Sequence, residues 1–199
     1  MSYRDKIEQY IAAEAKPVDK YGHQPRLYAL ARAVGDGLSY DDDVVHATAW
    51  LHDLGVFYGH RPADVEDLIK WDSVRYAMEQ TPGLLTEFGF PASKTDAVVE
   101  AIRTHQPRFE PLTVEGVILR DADILEQLGA IAILRTVSKV GRDTRFHRFT
   151  DAVVNLKKMQ ETLPAMIRLE STRALAGPKI AALMEFLRAV EAEDQGALY

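Results

Sequence analysis

Apolar residues recur at helical spacing along almost the whole chain, and this pattern constrains the fold more than any other feature. Side chains three and four residues apart share one face of an α-helix, so each segment gains an apolar face that can pack. No run of alternating β-branched residues is long enough to favour a strand. The sequence therefore predicts an all-α fold, a single-domain helical bundle of about eight to ten helices.

Chain length and composition are consistent with one folded domain. The 199 residues are 47% apolar, which is enough for one sizeable core, so we expect a single domain over residues 1–199. No apolar run approaches the roughly 20 residues of a membrane span. The N-terminus is charged and amphipathic and lacks the apolar core of a signal peptide. We therefore expect a cytoplasmic protein with no membrane partner.

Charge and cysteine content exclude several classes of function. The net charge is -6, whereas extended nucleic-acid binding needs clustered Lys and Arg, so we expect none. The chain has no cysteine, which excludes disulfides, thiolate zinc sites and cysteine nucleophiles. A small anionic ligand held by a local cation is still compatible with this composition.

In three regions of the chain, prolines and glycines decide where the predicted helices begin and end. Residues 63–80 are predicted to form one helix that stops before Thr81-Pro82-Gly83. Residues 113–140 are predicted to form the longest helix of the chain. Two helices are predicted near the C-terminus, over residues 165–176 and 178–193, with Pro178 in the first turn of the second.

A histidine and an aspartate stand side by side at the end of an apolar helical run, in "VVHATAWLHDLGVFYGH" at residues 44–60. Both side chains are expensive to bury without a partner, so His52 and Asp53 either reach solvent or bind something. Successive helical residues point about 100° apart, so both can reach one point beside the last turn. Imidazole and carboxylate together suit a divalent transition metal.

A second anomaly is the aspartate pair in "VILRDADILEQLGA", residues 117–130. Asp121 and Asp123 lie within an otherwise apolar helical run. A solvated acidic edge of the helix would explain such a pair on its own. A distant His-Asp partner favours a shared ionic site instead. Four apolar residues mark the buried face of this helix: Ile118, Ala122, Leu125 and Leu128.

Three of the six histidines occupy comparable places near helix ends. His23 directly precedes the predicted second helix, His52 ends the third, and His105 ends the helix before Pro107. Helix ends can converge on one cavity, which is how helical bundles build metal sites. The other three are interpreted as surface or helix-capping residues: His46, His60 and His147.

The order of these motifs resembles the HD-domain superfamily of metal-dependent phosphohydrolases, and within it the small stand-alone bacterial hydrolases. The order is His23-x-x-Arg26, "AWLHDLG", a histidine-ended helix and "DADILEQLGAI". It covers about residues 20–135, and C-terminal helices at about 149–192 would pack on this core. The resemblance implies an all-helical fold, in agreement with the periodicity.

The metal pattern of that superfamily, His…His-Asp…Asp, implies which residues bind the ion. It assigns His23, His52 and Asp53 as ligands, together with one aspartate of the later pair. The resemblance favours Asp123 as the fourth ligand, whereas helical periodicity mildly favours Asp121. With Asp123 as ligand, Asp121 becomes a catalytic residue that orients a ligand or a water.

The resemblance also implies a function and a set of substrate contacts. A divalent ion (Mn, Fe, Co, Ni, Zn or Mg) would activate water and neutralise phosphoryl charge, so that a phosphate ester or anhydride of a nucleotide-like substrate is cleaved. His105 is the candidate proton donor or phosphate contact, and a ligand for a second ion is the alternative. The basic loop at residues 141–149 either closes over a polyphosphate or is an ordinary solvated turn. Candidate phosphate-binding cations are Arg26, Arg103, Arg120, Lys139, Arg142 and Arg145.

Departures from relatives narrow the substrate and leave alternatives open. Val56 stands where some HD nucleotidases carry a glutamate, and the motifs typical of alarmone hydrolases and cyclic-dinucleotide phosphodiesterases are missing. Ile124 and Glu126 replace a usual Arg and Asp. By elimination, nucleoside triphosphates lead as the substrate class. The alternative is a non-catalytic metal- or nucleotide-binding helical module, and the apolar C-terminal helices allow a homodimer.

Overall fold

Helices account for the regular structure of the protein in a computed structural model that describes residues 1–17 and 20–199. No strand occurs in these residues, which confirms the predicted all-α fold. None of the described helices combines the length and apolar character needed to cross a bilayer. The described α-helices are α1 (Tyr3–Glu14), α2 (His23–Val34), α3 (Asp42–Leu51), α4 (Val65–Lys70), α5 (Ser73–Phe88), α6 (Thr95–Thr104), α7 (Val114–Glu126), α8 (Gly129–Val137), α9 (Phe149–Thr162) and α10 (Glu170–Glu193).

The described residues divide into two compact units, Met1–Ala122 and Asp123–Tyr199, with the boundary inside α7. The first unit holds α1 to α6 and most of α7. The second unit holds the end of α7 and the helices α8, α9 and α10, which pack on one another. A single domain over residues 1–199 stays a prediction.

Helix α3 lies at the centre of the first unit and is buried along its length. All eight residues from Val44 to Leu51 are buried, and the helix packs against α1, α2 and α6. Two of its buried polar atoms have partners, because His46 Nε2 lies 2.9 Å from Glu8 Oε1 and Thr48 Oγ1 donates to Val44 O. The interpretation of His46 as a surface or helix-capping residue was therefore wrong.

One predicted helix is two helices in the structure. Residues 63–80 contain α4 and the first half of α5. The two helices are separate because the Asp72 carboxylate accepts a hydrogen bond from Arg75 N and caps a new helix. Helix α5 then continues through Pro82 to Phe88. A proline inside a helix costs about 3 kcal/mol, and burial of Leu85 and Phe88 beyond it outweighs that loss.

The other two boundary predictions are also corrected. Residues 113–140 form α7 and α8, separated before Gly129, whose φ of +80° a non-glycine residue rarely adopts. Near the C-terminus, one 24-residue helix, α10, includes Pro178. Leu183 and Leu187, beyond the proline, are buried along with Thr172 and Ala176 before it, so a continuous packed face favours one helix.

A cluster of charges ties α1, α3 and the start of α6 together around Asp43. Arg4 Nη2 donates to Asp43 Oδ1 at 2.6 Å, and Lys94 Nζ donates to Oδ2 at 2.7 Å. Burial alone would raise the pKa of the Asp43 carboxyl, but hydrogen bonds from Lys94, Arg4 and Tyr3 lower it well below its usual value. The ionised carboxylate therefore stabilises the folded first unit.

We expect Asp43→Asn to reduce the free energy of unfolding at pH 7 by about 1.5–3 kcal/mol, the usual contribution of hydrogen bonds to a charged group. The folded pKa is depressed, so this stabilisation is complete above the unfolded pKa and is lost as the pH falls through the folded value. Urea unfolding at pH 7 and pH 3 should show the difference from wild type shrinking at the lower pH. Asp36→Asn, at an exposed site, is the control. An equal loss at both pH values would contradict the role of the charge.

Candidate metal centre

Three side chains from two helix ends meet in the first unit. His23 is the first residue of α2 and follows the capping residue Gly22, so the helix begins one residue earlier than the sequence suggested. His52 caps the C-terminus of α3, and Asp53 precedes a 3-10 turn over Leu54–Val56. His23 and His52 are 4% and 3% exposed. The α3 terminus therefore supplies two neighbouring polar groups to an otherwise buried location.

The polar atoms of this trio have the spacing of ligands around one ion. His23 Nε2 lies 3.3 Å from His52 Nε2 and 3.7 Å from Asp53 Oδ2, while His52 Nε2 lies 3.6 Å from Asp53 Oδ1. One candidate ligand atom from each residue falls within 4.8 Å of the others. Ligands about 2.1 Å from an ion at tetrahedral angles are about 3.4 Å apart. The three residues therefore fit a divalent ion.

Backbone carbonyls orient two of the histidines. His52 Nδ1 lies 3.1 Å from Ala49 O, and His105 Nδ1 lies 2.6 Å from Ile102 O. A carbonyl oxygen only accepts, so each Nδ1 carries the proton and donates it. In the neutral ring Nε2 then keeps its lone pair, the tautomer that a metal ligand requires.

His105 stands beside this group at the C-terminal cap of α6. Its ring centroid lies 5.0 Å from that of His52, with an edge-on angle of 69° between the rings. The side chain is 5% exposed. The three helix-end histidines singled out in the sequence therefore meet in one place.

The environment of Asp53 favours its ionised form. Burial alone would raise the pKa of this carboxyl, but the electrostatic interaction with the nearby imidazoles of His52, His23 and His105 lowers it well below its usual value. The Asp53 side chain is 24% exposed. Asp53 is therefore a carboxylate at neutral pH, which is the form that binds a cation.

The glycine after the His-Asp pair is required by packing. A Cβ on Gly55 would come within 2.4 Å of Ser73 O and 2.6 Å of Ser73 Cα, at the start of α5. Trp71 Nε1 also donates to Gly55 O at 2.7 Å. The turn that follows Asp53 is therefore held directly against the N-terminus of α5.

Comparison with known proteins assigns a family. A family model described as "HD domain" matches residues 21–128, more than half of the chain and all of the trio. The chain belongs to the HD domain family. The His52-Asp53 pair lies within the matched residues.

Similar proteins cover nearly the whole chain. The uncharacterized protein YpgQ of Bacillus subtilis is 25% identical over 203 residues, which span 94% of this chain and 90% of YpgQ. Its crystal structure in complex with ADP has a TM-score of 0.75 at 22% identity, covering 98% and 96% of the two chains. A predicted HD superfamily hydrolase from an uncultured Thermotogales bacterium has a TM-score of 0.67 at 24% identity, covering 96% and 93%. These likenesses show that the chain shares the fold of these proteins over nearly its whole length.

The two aspartates of the "DAD" motif differ in burial. Asp121 is 0% exposed and belongs to the same unit as the HD pair. Asp123 is half-buried, belongs to the second unit, and its Oδ2 accepts a hydrogen bond from Gln127 Nε2 at 3.0 Å. The assignment of Asp123 as a metal ligand stays a prediction, and so does the catalytic role of Asp121.

Three predicted substrate cations lie in the first unit: Arg26, Arg103 and the buried Arg120. The Arg26 guanidinium lies close to the backbone before His23, because a Cβ on Gly22 would come within 2.7 Å of Arg26 Nη1. Arg103 is 43% exposed at its side chain and donates to both carboxylate oxygens of Glu100, at 2.7 and 2.8 Å. Arg26 therefore lies close to His23 in the chain and in space, whereas Arg103 is engaged in a local ion pair.

The other predicted cations lie in the second unit, around the loop at residues 141–149. Arg145 donates to both oxygens of Asp143, at 3.0 and 2.8 Å, and this ion pair lowers the pKa of Asp143 to about 2. Lys139 Nζ lies 5.9 Å from the centre of the buried Phe146 ring. Arg142 Nη1 donates to Ser138 O at 3.3 Å. Their roles as phosphate contacts stay predictions.

Two features of the structure were missed in the sequence. The first is the pair of hydrogen bonds from His52 and His105 to the backbone carbonyls of Ala49 and Ile102. A histidine just past the end of a helix was the sequence signal that could have predicted them. The second is a network in which His60 lies 3.0 Å from both Glu14 Oε2 and Tyr76 Oη. These partners are 46 and 16 residues away in the chain, so no local pattern announces them. The exposed position of His147 was predicted correctly.

We expect Gly55→Ala to reduce the free energy of unfolding by about 1–3 kcal/mol, because the added methyl group overlaps the Ser73 backbone. Gly83→Ala is a matched control, since a Cβ there meets nothing within 4 Å and lies inside α5. That control should be stabilising by up to about 1 kcal/mol, because alanine is the better helix former. Denaturant unfolding of both variants measures the difference. Equal stability of the two would show that the close approach at Gly55 is unimportant.

Proposed function

We propose that the protein is a divalent-metal-dependent phosphohydrolase that cleaves a phosphate ester or anhydride of a nucleotide-like substrate. The observation that carries this proposal is the convergence of His23 Nε2, His52 Nε2 and the Asp53 carboxylate within ligand spacing of one another. Two imidazoles and a carboxylate suit Mn, Fe, Co, Ni or Zn better than they suit Mg.

A bound ion would supply Lewis-acid polarisation of a phosphoryl oxygen and a lower pKa for water. The chain's own residues prepare the site for it. The Ala49 carbonyl fixes the ring orientation of His52, and the close contact of Gly55 with Ser73 holds the turn that carries Asp53. These contacts reduce the reorganisation needed when a cation binds.

The fourth ligand comes from the "DAD" motif. The family resemblance favoured Asp123 and helical periodicity mildly favoured Asp121; burial also supports Asp121. A fully buried carboxylate needs compensation by hydrogen bonds, by a cation or by both, and Asp121 is 0% exposed in the unit that contains the trio. We therefore propose Asp121 as ligand and keep Asp123 as the alternative to be tested beside it.

His105 is proposed to donate a proton to the leaving group or a hydrogen bond to a phosphate oxygen. Its Nδ1–H is engaged with Ile102 O, so only Nε2 can act. In the charged imidazolium, Nε2–H is a donor close to His52, as the 5.0 Å ring separation indicates. In the neutral ring the same atom is an acceptor or a ligand for a second ion.

The nucleotide part of the proposal is supported by the relative YpgQ, which has been crystallised in complex with ADP. Phosphates need cations around their non-bridging oxygens, and Arg26, whose guanidinium lies against Gly22 just before His23, is the proposed phosphate contact. Nucleoside triphosphates are the proposed substrate class, since the motifs of the other HD subclasses are missing from the sequence.

We expect Asp53→Ala and His52→Ala to lose bound metal and to reduce hydrolysis by about 1000-fold or more, because several kcal/mol of charge stabilisation is removed. Elemental analysis of the purified proteins and Mn²⁺ titration calorimetry measure binding, and phosphate release measures activity. His147→Ala, at an exposed site, is the control and should behave as wild type. Normal hydrolysis by the Asp53 variant, or hydrolysis that survives complete chelation, would refute the mechanism.

The two aspartates can be separated by the isosteric variants Asp121→Asn and Asp123→Asn. If Asp121 is the ligand, its variant should weaken Mn²⁺ binding by about 10- to 100-fold or more, while the Asp123 variant changes it by less than about 3-fold. Calorimetry measures both, and circular dichroism checks that each variant is folded. The reverse order of effects would assign Asp123 as the ligand.

The substrate class is tested by comparing nucleoside mono-, di- and triphosphates with Mn²⁺, Co²⁺, Ni²⁺ and Mg²⁺. We expect triphosphates to be cleaved fastest, and ³¹P NMR of the products distinguishes release of phosphate from release of pyrophosphate. Bound metal with no hydrolysis of any phosphate ester would instead establish the alternative, a non-catalytic binding module.

A further inference from the structure

Arg120 is a buried cation in the first unit, one residue before Asp121. It is 2% exposed, and a guanidinium is costly to bury unless it forms hydrogen bonds. Its Nη2 donates to the carbonyl oxygen of Pro107 at 2.7 Å. Pro107 lies two residues after His105, so helix α7 holds the turn that leaves the histidine.

Helix α7 also contacts the chain just before His105. Gly116 precedes Arg120 by four residues and therefore lies on the same face of α7. A Cβ on Gly116 would come within 3.3 Å of Thr104 Oγ1 and 3.0 Å of Pro111 Cβ. Thr104 is itself 1% exposed and donates to Glu100 O. The backbone of α7 thus lies closely against the end of α6.

These two contacts bracket His105, with one before it in the chain and one after it. The histidine is fixed on its own helix by the hydrogen bond from Nδ1 to Ile102 O, and its ring stands edge-on to His52. A shift of the turn at Pro107 would tilt the end of α6 and carry the His105 ring away from His52. The position of the ring therefore depends on what holds this turn.

We propose that Arg120 is a positioning residue that acts through Pro107 to hold His105 against the metal centre, with Gly116 permitting the close approach of α7. This inference rests on the proposed function, in which His105 contacts the substrate. It changes the role considered for Arg120 in the sequence, where it was one of several phosphate-binding cations. A guanidinium that is buried and engaged with a backbone carbonyl supports the turn rather than an incoming phosphate.

The test compares Arg120→Met with Arg120→Lys and Gly116→Ala. Hydrogen exchange, followed by mass spectrometry, reports on the amides between His105 and Glu110, and the His105 ring is followed by NMR. In Arg120→Met we expect exchange to accelerate by about 10- to 100-fold, matching the loss of a charged hydrogen bond. We expect kcat to fall by about 10-fold or more, while KM and Mn²⁺ affinity change by less than about 3-fold.

Lysine keeps a charged donor group at this position. Compared with Arg120→Met, Arg120→Lys should therefore retain part of the exchange protection and part of kcat. Gly116→Ala should accelerate exchange in the same turn without removing a charge. If the Arg120→Met protein fails to fold, Arg120→Lys and Gly116→Ala still test the inference. Arg4→Met is the control, because it removes the charged contact of another arginine in the same unit, the ion pair with Asp43. It should lower stability and leave both the 105–110 exchange and kcat unchanged.

Unchanged exchange and an unchanged His105 signal in Arg120→Met would overturn the inference, whatever the activity. A rise in KM of about 10-fold or more with unchanged exchange would instead make Arg120 a substrate contact. If the wild-type protein hydrolyses no phosphate compound, the proposed function fails. The exchange and NMR results still decide whether Arg120 holds the His105 turn.

Discussion

The burial of α3 along its whole length is the constraint on which the rest of the first unit depends. The helix is enclosed by α1, α2 and α6, so its last turn has little freedom to move. The chain then places His52 and Asp53 immediately after that turn. A metal centre benefits from such an origin, because ligands fixed by the core lose little entropy when they bind a cation. The same burial requires partners for His46 and Thr48, which Glu8 and the helix backbone provide.

Two aspartates near the ends of α3 show how the unit compensates carboxylates in different ways. At the start of the helix, Asp43 is held by Arg4 and Lys94, whose charges persist over the whole physiological range of pH. At the end, Asp53 faces imidazoles, a type of group that changes its charge within that range. The first arrangement suits a permanent structural contact. The second leaves a role for an external cation, in keeping with the ligand spacing there.

The fold class follows from local rules in the sequence, and the helix-end positions of His23, His52 and His105 indicated that these side chains could meet. Helical periodicity is visible in any window, and a His-Asp pair at the end of an apolar helix requires an explanation. Helix boundaries at prolines were harder to predict. Pro82 and Pro178 lie inside helices because packing beyond them outweighs the loss of one hydrogen bond. Partners far apart in the chain, such as Glu14 for His60 and Pro107 for Arg120, leave no pattern in the sequence.

The contact between Gly55 and Ser73 has a consequence for altering this protein. Because the backbone of α5 occupies the space of any side chain at Gly55, that position is closed to variation in a library of mutants. The adjacent Val56 is only half-buried. Substitutions that aim to change substrate choice next to the HD pair can therefore be made at Val56, while Gly55 must stay glycine.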